Sequence, residues 1–317
     1  MVGVHLAPDG NQKEQVVALR KKTEKWRDYI RKSSLDDISI WIALKQTITK
    51  GVEYPLAATT LSDSQISKIM IPARSCALPR ARISRLFPHA VLYGPVEFQG
   101  LGLQDLFIYQ NCRHVQDIID QSWRRTPVGS LIRANLEAAK VEAGLYDSLF
   151  DQDLYVTWFS TRDSWVIETY RFCRKHEIVF SEPGALLLPQ CRGDNTIMDE
   201  FFRAGFSSKE LATLNRCRLY CRVTSVSDVA EGDGMHLSTR WFIHGTQNKE
   251  GSISWPNQGL PTEKDWSFWE SALKTALCRE RGLLLKRPLG MWTLSQEKLL
   301  QWEWFIAKGL LYQLERG

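Results

Sequence analysis

The chain predicts a mainly α fold with minor β, an irregular helical bundle, and three observations carry that prediction. Apolar residues recur at three- and four-residue spacing over long stretches. Helix start signals stand ahead of those stretches. Period-two alternation is confined to short pieces. With 317 residues, 44% of them hydrophobic, there is material for one large core or two ordinary ones.

Val2-Gly3-Val4-His5-Leu6 alternates like the end of a strand, and Pro8-Asp9-Gly10-Asn11 is turn chemistry. A lone strand is an unpaired edge, so residues 1–11 are expected to be poorly anchored. Val16, Leu19, Thr23, Trp26 and Ile30 then place a helix over 12–32, with Lys13, Arg20, Lys21, Lys22, Lys25, Arg27, Arg31 and Lys32 on its other faces. A second helix is expected over 36–50, with Ile38, Trp41, Ile42, Leu44 and Ile48 inward and Gly51 as its stop. Ser62 with Gln65 is a capping-box signature, and the helix it opens carries Ile66, Ile69 and Met70 before Pro72 interrupts it.

Pro79, Pro88 and Pro95 impose a broken path. Helices follow over 105–122, and from Thr126-Pro127 to Gly144, where an N-cap threonine precedes a proline at the first helical position. Further helices are expected over 163–175, 195–204 and 207–222, with short extended pieces at Ile178–Phe180 and Leu186–Leu188. Ser227–Gly259 reads as irregular loop. Thr262 opens a helix that aligns Trp266, Trp269, Leu273 and Leu277, and Trp302–Ile306 with Leu310–Leu314 suits a hairpin around Ala307-Lys308-Gly309. The acidic, turn-rich Asp147–Asp153 is the preferred boundary, giving parts 1–146 and 147–317.

Charge is unevenly placed. Residues 1–145 hold 20 Lys+Arg against 14 Asp+Glu, whereas 146–317 hold 21 against 22, so a polyanion should meet the first half. Ser64–Val96 contains Lys68, Arg74, Arg80, Arg82 and Arg85 and no acid. Both a solvated basic face and phosphate contact fit that stretch. Seven scattered cysteines do not form a secreted disulfide framework. No apolar run approaches the roughly 20 residues of a membrane helix, and no signal peptide is evident. The expectation is an intracellular chain without a membrane partner, its compartment, nucleus or cytoplasm, left open.

Little catalytic chemistry is legible. Asp36-Asp37 reads as a helix start, where acids meet the helix dipole, and not as a two-metal site. Cys217 and Cys221, one turn apart, have no recognised zinc spacing with Cys173, His176 or Cys191, and read as small core residues. No nucleophile elbow, phosphate-cradling loop or H-E-x-x-H motif is present, so no cofactor or metal is expected. The twelve tryptophans read as core. Trp26 is the exception of interest, because it lies between Lys25 and Arg27.

Joined in order, several segments resemble the region that follows the polymerase palm in reverse-transcriptase-like polyproteins of algal, especially diatom, retroelements. They are Val2–Asn11, Lys22-Thr23-Glu24-Lys25-Trp26, Ala43-Leu44-Lys45 through Glu53-Tyr54-Pro55-Leu56, Tyr93-Gly94-Pro95, Phe98-Gln99-Gly100-Leu101-Gly102, Glu210–Leu219, Ser227-Asp228-Val229 and Trp255–Gly259. The likeness spans nearly the whole chain and rests on order and spacing. It implies that residues 2–6 match the last strand of the palm edge and that 1–146 is a thumb-like region packing on a primer-template duplex. It also implies that the catalytic carboxylates lie upstream of this sequence, so no catalytic residue carries over.

The expected function is therefore that of a truncated, non-enzymatic retroelement protein that holds RNA or DNA duplex backbone without reading bases. Lys21, Lys22, Lys25, Trp26, Arg27, Arg31, Arg80, Arg82 and Arg85 are the expected contacts. The alternative is an assembly module in which the apolar stripe of helix 12–32 and the Trp-rich C-terminus pack on a reverse-transcriptase palm or another subunit, so that an apolar patch is exposed. A nuclease would need a converging acidic cluster, for which only unconnected acids are present.

Overall fold

The structure is a computed structural model. It describes residues 4–5, 11–146, 148–150, 156–158, 164–182, 189, 191, 193–242, 261–279 and 282–290, and the backbone of 301–307 and 310–316. The fold is mainly helical with minor β. The chain divides into two compact units, one of 1–120 with 163–172 and one of 121–162 with 173–317, so the division does not follow the acidic stretch at 147–153.

In the first unit α1 (Lys13–Lys32) packs along α4 (Asp63–Arg80). Leu19, Thr23 and Ile30 are buried, and the Thr23 hydroxyl donates to the Ile69 carbonyl at 2.7 Å, fixing the register of the pair. Of the N-terminal alternation only Val4 and His5 are described, in no strand, and the His5 amide donates to Gln15 Oε1 at 2.7 Å.

The second helical stretch departs from expectation in two ways. It begins at α2 (Asp37–Ala43), continues through a π-helical segment (Leu44–Thr49) and α3 (Lys50–Glu53), and ends in a 3₁₀ turn (Tyr54–Ala58), so Gly51 is interior and not a stop. Its inward face is Ile40, Leu44, Ile48 and Val52, all buried, while Ile38 and Ile42 are 67% and 53% exposed. A strict four-residue spacing drifts by about 40° per step on a regular α-helix. The wider π turn takes up that drift and keeps one line of side chains inward. Burial of Val52, Pro55 and Leu56 beyond Gly51 outweighs the glycine's modest preference for a stop.

Ser62 and Gln65 form the expected reciprocal capping box. Pro72, however, lies inside α4 and does not interrupt it, and Pro79 lies one residue before its end. Proline costs about 3 kcal/mol in a helix interior, but Ile69, Met70, Ala73 and Ala77 around it are buried, and the Ile69 carbonyl three residues before it accepts from the Thr23 hydroxyl. α5 (His89–Tyr93) and a 3₁₀ turn (Val96–Phe98) follow. Here Tyr93-Gly94-Pro95 and Phe98–Gly102 are two sides of one clasp, with Gly100 and Gly102 amides donating to Pro95 and Gly94 carbonyls at 2.9 Å. A Cβ on Gly100 would stand 2.1 Å from the Gly94 carbonyl oxygen, so only glycine fits.

α6 (Leu106–Gln121) and α8 (Trp165–Lys175) supply a buried polar site to the first unit. The His114 ring lies 5.2 Å from the Trp165 ring, its Nδ1 is 3.5 Å from Thr169 Oγ1, and its Nε2 has no partner among the described residues. Burial pushes the imidazole down to about 4, outweighing the nearby backbone of Leu56, Ala57 and Thr59, which favours the charged form. The folded imidazole thus stays neutral while the unfolded one protonates below about 6.5. Its contribution to stability is complete above that value and is lost as pH falls towards 4, a loss of about 3 kcal/mol. In His114→Leu the fall in urea midpoint between about pH 7 and about pH 4.5 should shrink accordingly; an unchanged fall would exclude His114 as the cause.

In the second unit α7 (Pro127–Ala143), α9 (Ile197–Arg203), α10 (Ser208–Cys221) and α12 (Glu263–Leu277) pack together, with α11 (Val226–Val229) between the last two in sequence. Thr126 caps α7 by accepting from the Gly129 amide at 3.1 Å, and Ser207 with Glu210 and Thr262 with Asp265 form capping boxes. Trp266, Trp269, Leu273 and Leu277 are buried as one face of α12. Ile178–Phe180 pairs with no strand among the described residues, and Leu186–Leu188 lies outside them. Within the expected irregular loop, α11, a 3₁₀ turn (Thr239–Trp241) and a bridge between Ala230 and Leu237 are formed, and 243–259 lies outside the described residues. The C-terminal hairpin is present as β1 (Gln301–Ala307) and β2 (Leu310–Arg316), antiparallel with Trp304 opposite Gln313.

Candidate nucleic-acid interface

The basic residues singled out in the sequence all fall in the first unit, and their side chains divide into two sets. Helix α1 carries eight basic against three acidic side chains, a net of +5, equal to the formal net charge of the entire chain. Two of its three acids are already matched: Arg20 Nε stands 3.1 Å from Glu24 and Arg27 Nη2 stands 2.9 Å from Asp28. The hydrogen bond from Arg27 holds the Asp28 carboxyl below its ordinary value and raises the guanidinium in return.

Lys21, Lys25, Arg31 and Lys32 remain exposed and in no ion pair among the described residues. Lys21, Lys25 and Lys32 recur at four and seven residues, which places them on one stripe of the helix. Lys22 is exposed as well, with its ammonium 2.6 Å from the Gly51 carbonyl, where it supports the helix junction while keeping its charge.

Other expected contacts have structural duties. The Trp26 indole is half-buried against the core and donates to Thr47 Oγ1 at 2.8 Å, so its ring is not a free stacking face. The Arg80 guanidinium donates to the carbonyl of Ile30, and through Nη2 to those of Ser33 at 3.0 Å and Leu35 at 3.4 Å. It therefore braces the C-terminal end of α1, where the Ile30 carbonyl also accepts from the Ser33 amide at 3.1 Å and Ser33 and Leu35 lie just past the helix. This hold ties the segment after α4 to the same corner as Arg31 and Lys32. Arg82 pairs with Asp37 at 3.0 Å there, and Arg85 is exposed without an ion pair among the described residues.

Arg80→Ala should consequently cost about 2–3 kcal/mol in urea unfolding, because charged hydrogen bonds to three carbonyls are lost. Arg85→Ala should change stability by less than about 0.5 kcal/mol. Equal effects would show that Arg80 does not serve the fold in the way its contacts indicate.

The two carboxylates at 36 and 37 start a helix: Asp36 Oδ1 accepts from the Ser39 amide at 2.8 Å, and the Ser39 hydroxyl together with that amide holds Asp36 below its ordinary value. Among the described residues no group of three or more His, Cys, Asp or Glu is placed to hold a metal ion. Burial pushes the Cys217 and Cys221 thiols up, which keeps them protonated. No helix among the described residues is long and apolar enough to cross a membrane.

The first unit also holds a cleft of ≈ 340 Å³ lined by Asp63, Arg74, His89, Tyr93 and Asp105. Arg74 is spent there on the Tyr93 hydroxyl and the Ser67 carbonyl, and Asp63 and Asp105 are part of the lining, so the cleft offers a phosphate little. The exposed stripe of α1 carries more positive charge outside ion pairs than this cleft does.

Two residues of this surface were not among the expected contacts. Lys32 and Tyr29 lie on the exposed side of α1, with Lys25 Nζ 5.8 Å from the centre of the Tyr29 ring. The signal was present, since neighbours on a helix are three and four residues apart and not adjacent in sequence. No family model, curated protein or solved structure matches the chain.

Proposed function

We propose that the α1 face of the first unit binds nucleic-acid backbone without reading bases, as a thumb-like region of a reverse-transcriptase-like retroelement protein does, and that the chain carries no polymerase chemistry of its own. One observation carries the reading: Glu24 and Asp28 are consumed by Arg20 and Arg27, which leaves Lys21, Lys25, Arg31 and Lys32 uncompensated on the exposed side of one helix. Such a row suits phosphates spaced along a duplex and makes no demand on sequence. The experiment is anisotropy of a labelled RNA–DNA duplex with the whole chain from about 50 to about 300 mM salt. Four phosphate contacts should give a log–log slope of about −3 to −4; a flat response or no binding would end this reading.

A second reading is favoured by one specific observation. Ile38 and Ile42, one turn apart on α2, are 67% and 53% exposed, and Leu35 just before that helix is 43% exposed; such apolar exposure suits packing on a polymerase palm or another subunit. Under that reading the chain would self-associate or require a protein partner, and its duplex binding would be weak at every salt concentration. Sedimentation of the same sample separates the two.

A further inference from the structure

We infer that Tyr29 is a base-stacking platform and that α1 therefore prefers nucleic acid with unpaired bases over a continuous duplex. The inference rests on the backbone-binding reading and specifies its ligand. Exposure by itself assigns nothing to a single apolar side chain. What singles out Tyr29 is its place: it is 63% exposed, four residues beyond Lys25 and three short of Lys32, so both lysines flank it on the helix surface.

Lys25 Nζ lies over one face of the ring, 5.8 Å from its centre and within cation–π range, so a base would take the opposite face while the ammonium meets the phosphate that follows it. Lys21 extends the same stripe. Trp26, the neighbouring aromatic, cannot serve this purpose, since it is half-buried and bonded to Thr47. The occupant that fits is a single-stranded segment, whose phosphates meet Lys21, Lys25 and Lys32 while one base covers Tyr29. A paired duplex keeps its bases stacked inside and can offer the ring only sugar and phosphate.

The test compares a labelled single-stranded oligonucleotide with a duplex of equal length, using the whole chain, Tyr29→Leu and Tyr29→Phe. Tyr29→Leu should bind the single strand roughly tenfold more weakly, and Tyr29→Phe should stay within about twofold of the parent, because stacking needs the ring and not the hydroxyl. Duplex affinity and its salt slope should hardly move in either variant. Unchanged single-strand binding in Tyr29→Leu, or equal losses on both ligands, would overturn the inference. Steep, salt-dependent duplex binding with no effect of Tyr29→Leu would do so while leaving the backbone-binding reading intact, whereas no binding to either ligand would remove both.

Discussion

Arg218→Ala should cost the second unit more than about 4 kcal/mol, a large part of the 5–15 kcal/mol that a domain has in total. Arg218 is 1% exposed and lies on α10. Its guanidinium donates to Asn215 Oδ1 at 2.8 Å and to the carbonyls of Val223 at 3.0 Å, Val141 at 2.7 Å and Glu142 at 2.8 Å. The last two belong to the final turn of α7, where the Val141 carbonyl also accepts from the Gly144 amide at 3.3 Å. Asn215 donates to Glu142 as well, at 2.9 Å, and the Trp158 indole donates to Ala143 at 2.8 Å. One buried arginine and two helpers thus complete the end of α7.

Gly144, in the left-handed region at φ +72, turns the chain away from that end, and a Cβ there would come within 3.0 Å of the guanidinium. Burial pulls the Arg218 pKa down, and the nearby Glu142 and Asp228 charges pull it back. Removing the side chain takes the donor from Asn215 Oδ1 and the Val223 carbonyl, at about 1–3 kcal/mol for each buried acceptor, and weakens the bonding at Val141 and Glu142. Arg218→Lys should recover only part of the loss, because an ammonium cannot span the same fork. The readout is urea unfolding followed by tryptophan fluorescence; a loss below about 1 kcal/mol in Arg218→Ala would show that the end of α7 does not depend on this residue.

Local chemistry made much of the fold legible. The spacing of Leu19, Thr23 and Ile30, the Ser62/Gln65 box, Thr126-Pro127 with Gly144, and the apolar face of α12 all act within a few residues, and the helices they announce are present. What was misread depends on distant partners. Gly51 and Pro72 look like stops until Val52, Leu56, Ile69 and Ala73 are buried around them. Ile38 and Ile42 look like core because a π turn cannot be read from spacing alone.

The segment Glu210–Leu219, one of those that carry the retroelement likeness, contains Asn215 and Arg218, whose evident duty is to close a helix that ends at Ala143. No property of the sequence near 215–218 announces that partner. At the interface the charge of α1 was legible, but its division was not. Arg80 resembled a phosphate contact because the carbonyls it holds, at Ile30, Ser33 and Leu35, lie some fifty positions away in sequence. Adjacency in sequence draws attention to Trp26, between Lys25 and Arg27, whereas helical adjacency places Tyr29 beside Lys25 and Lys32.

The second large effect is expected in binding. Replacing Lys21, Lys25, Arg31 and Lys32 together by alanine removes every exposed basic side chain of α1 beyond Lys13, Arg20 and Lys22, yet touches no described hydrogen bond or ion pair. The fold should be kept, since exposed substitutions of this kind move stability by about 0.5 kcal/mol or less each. Backbone affinity should fall on the order of 100-fold at low salt, because each lost contact retains a counterion that binding would have released.

The most direct measurement is the salt dependence of duplex binding for this fourfold variant beside the parent chain, with urea midpoints of both as the check on folding. The log–log slope should flatten by about 3 to 4 in a variant whose midpoint is retained. An equally steep slope in the folded variant would contradict the assignment of nucleic-acid binding to α1.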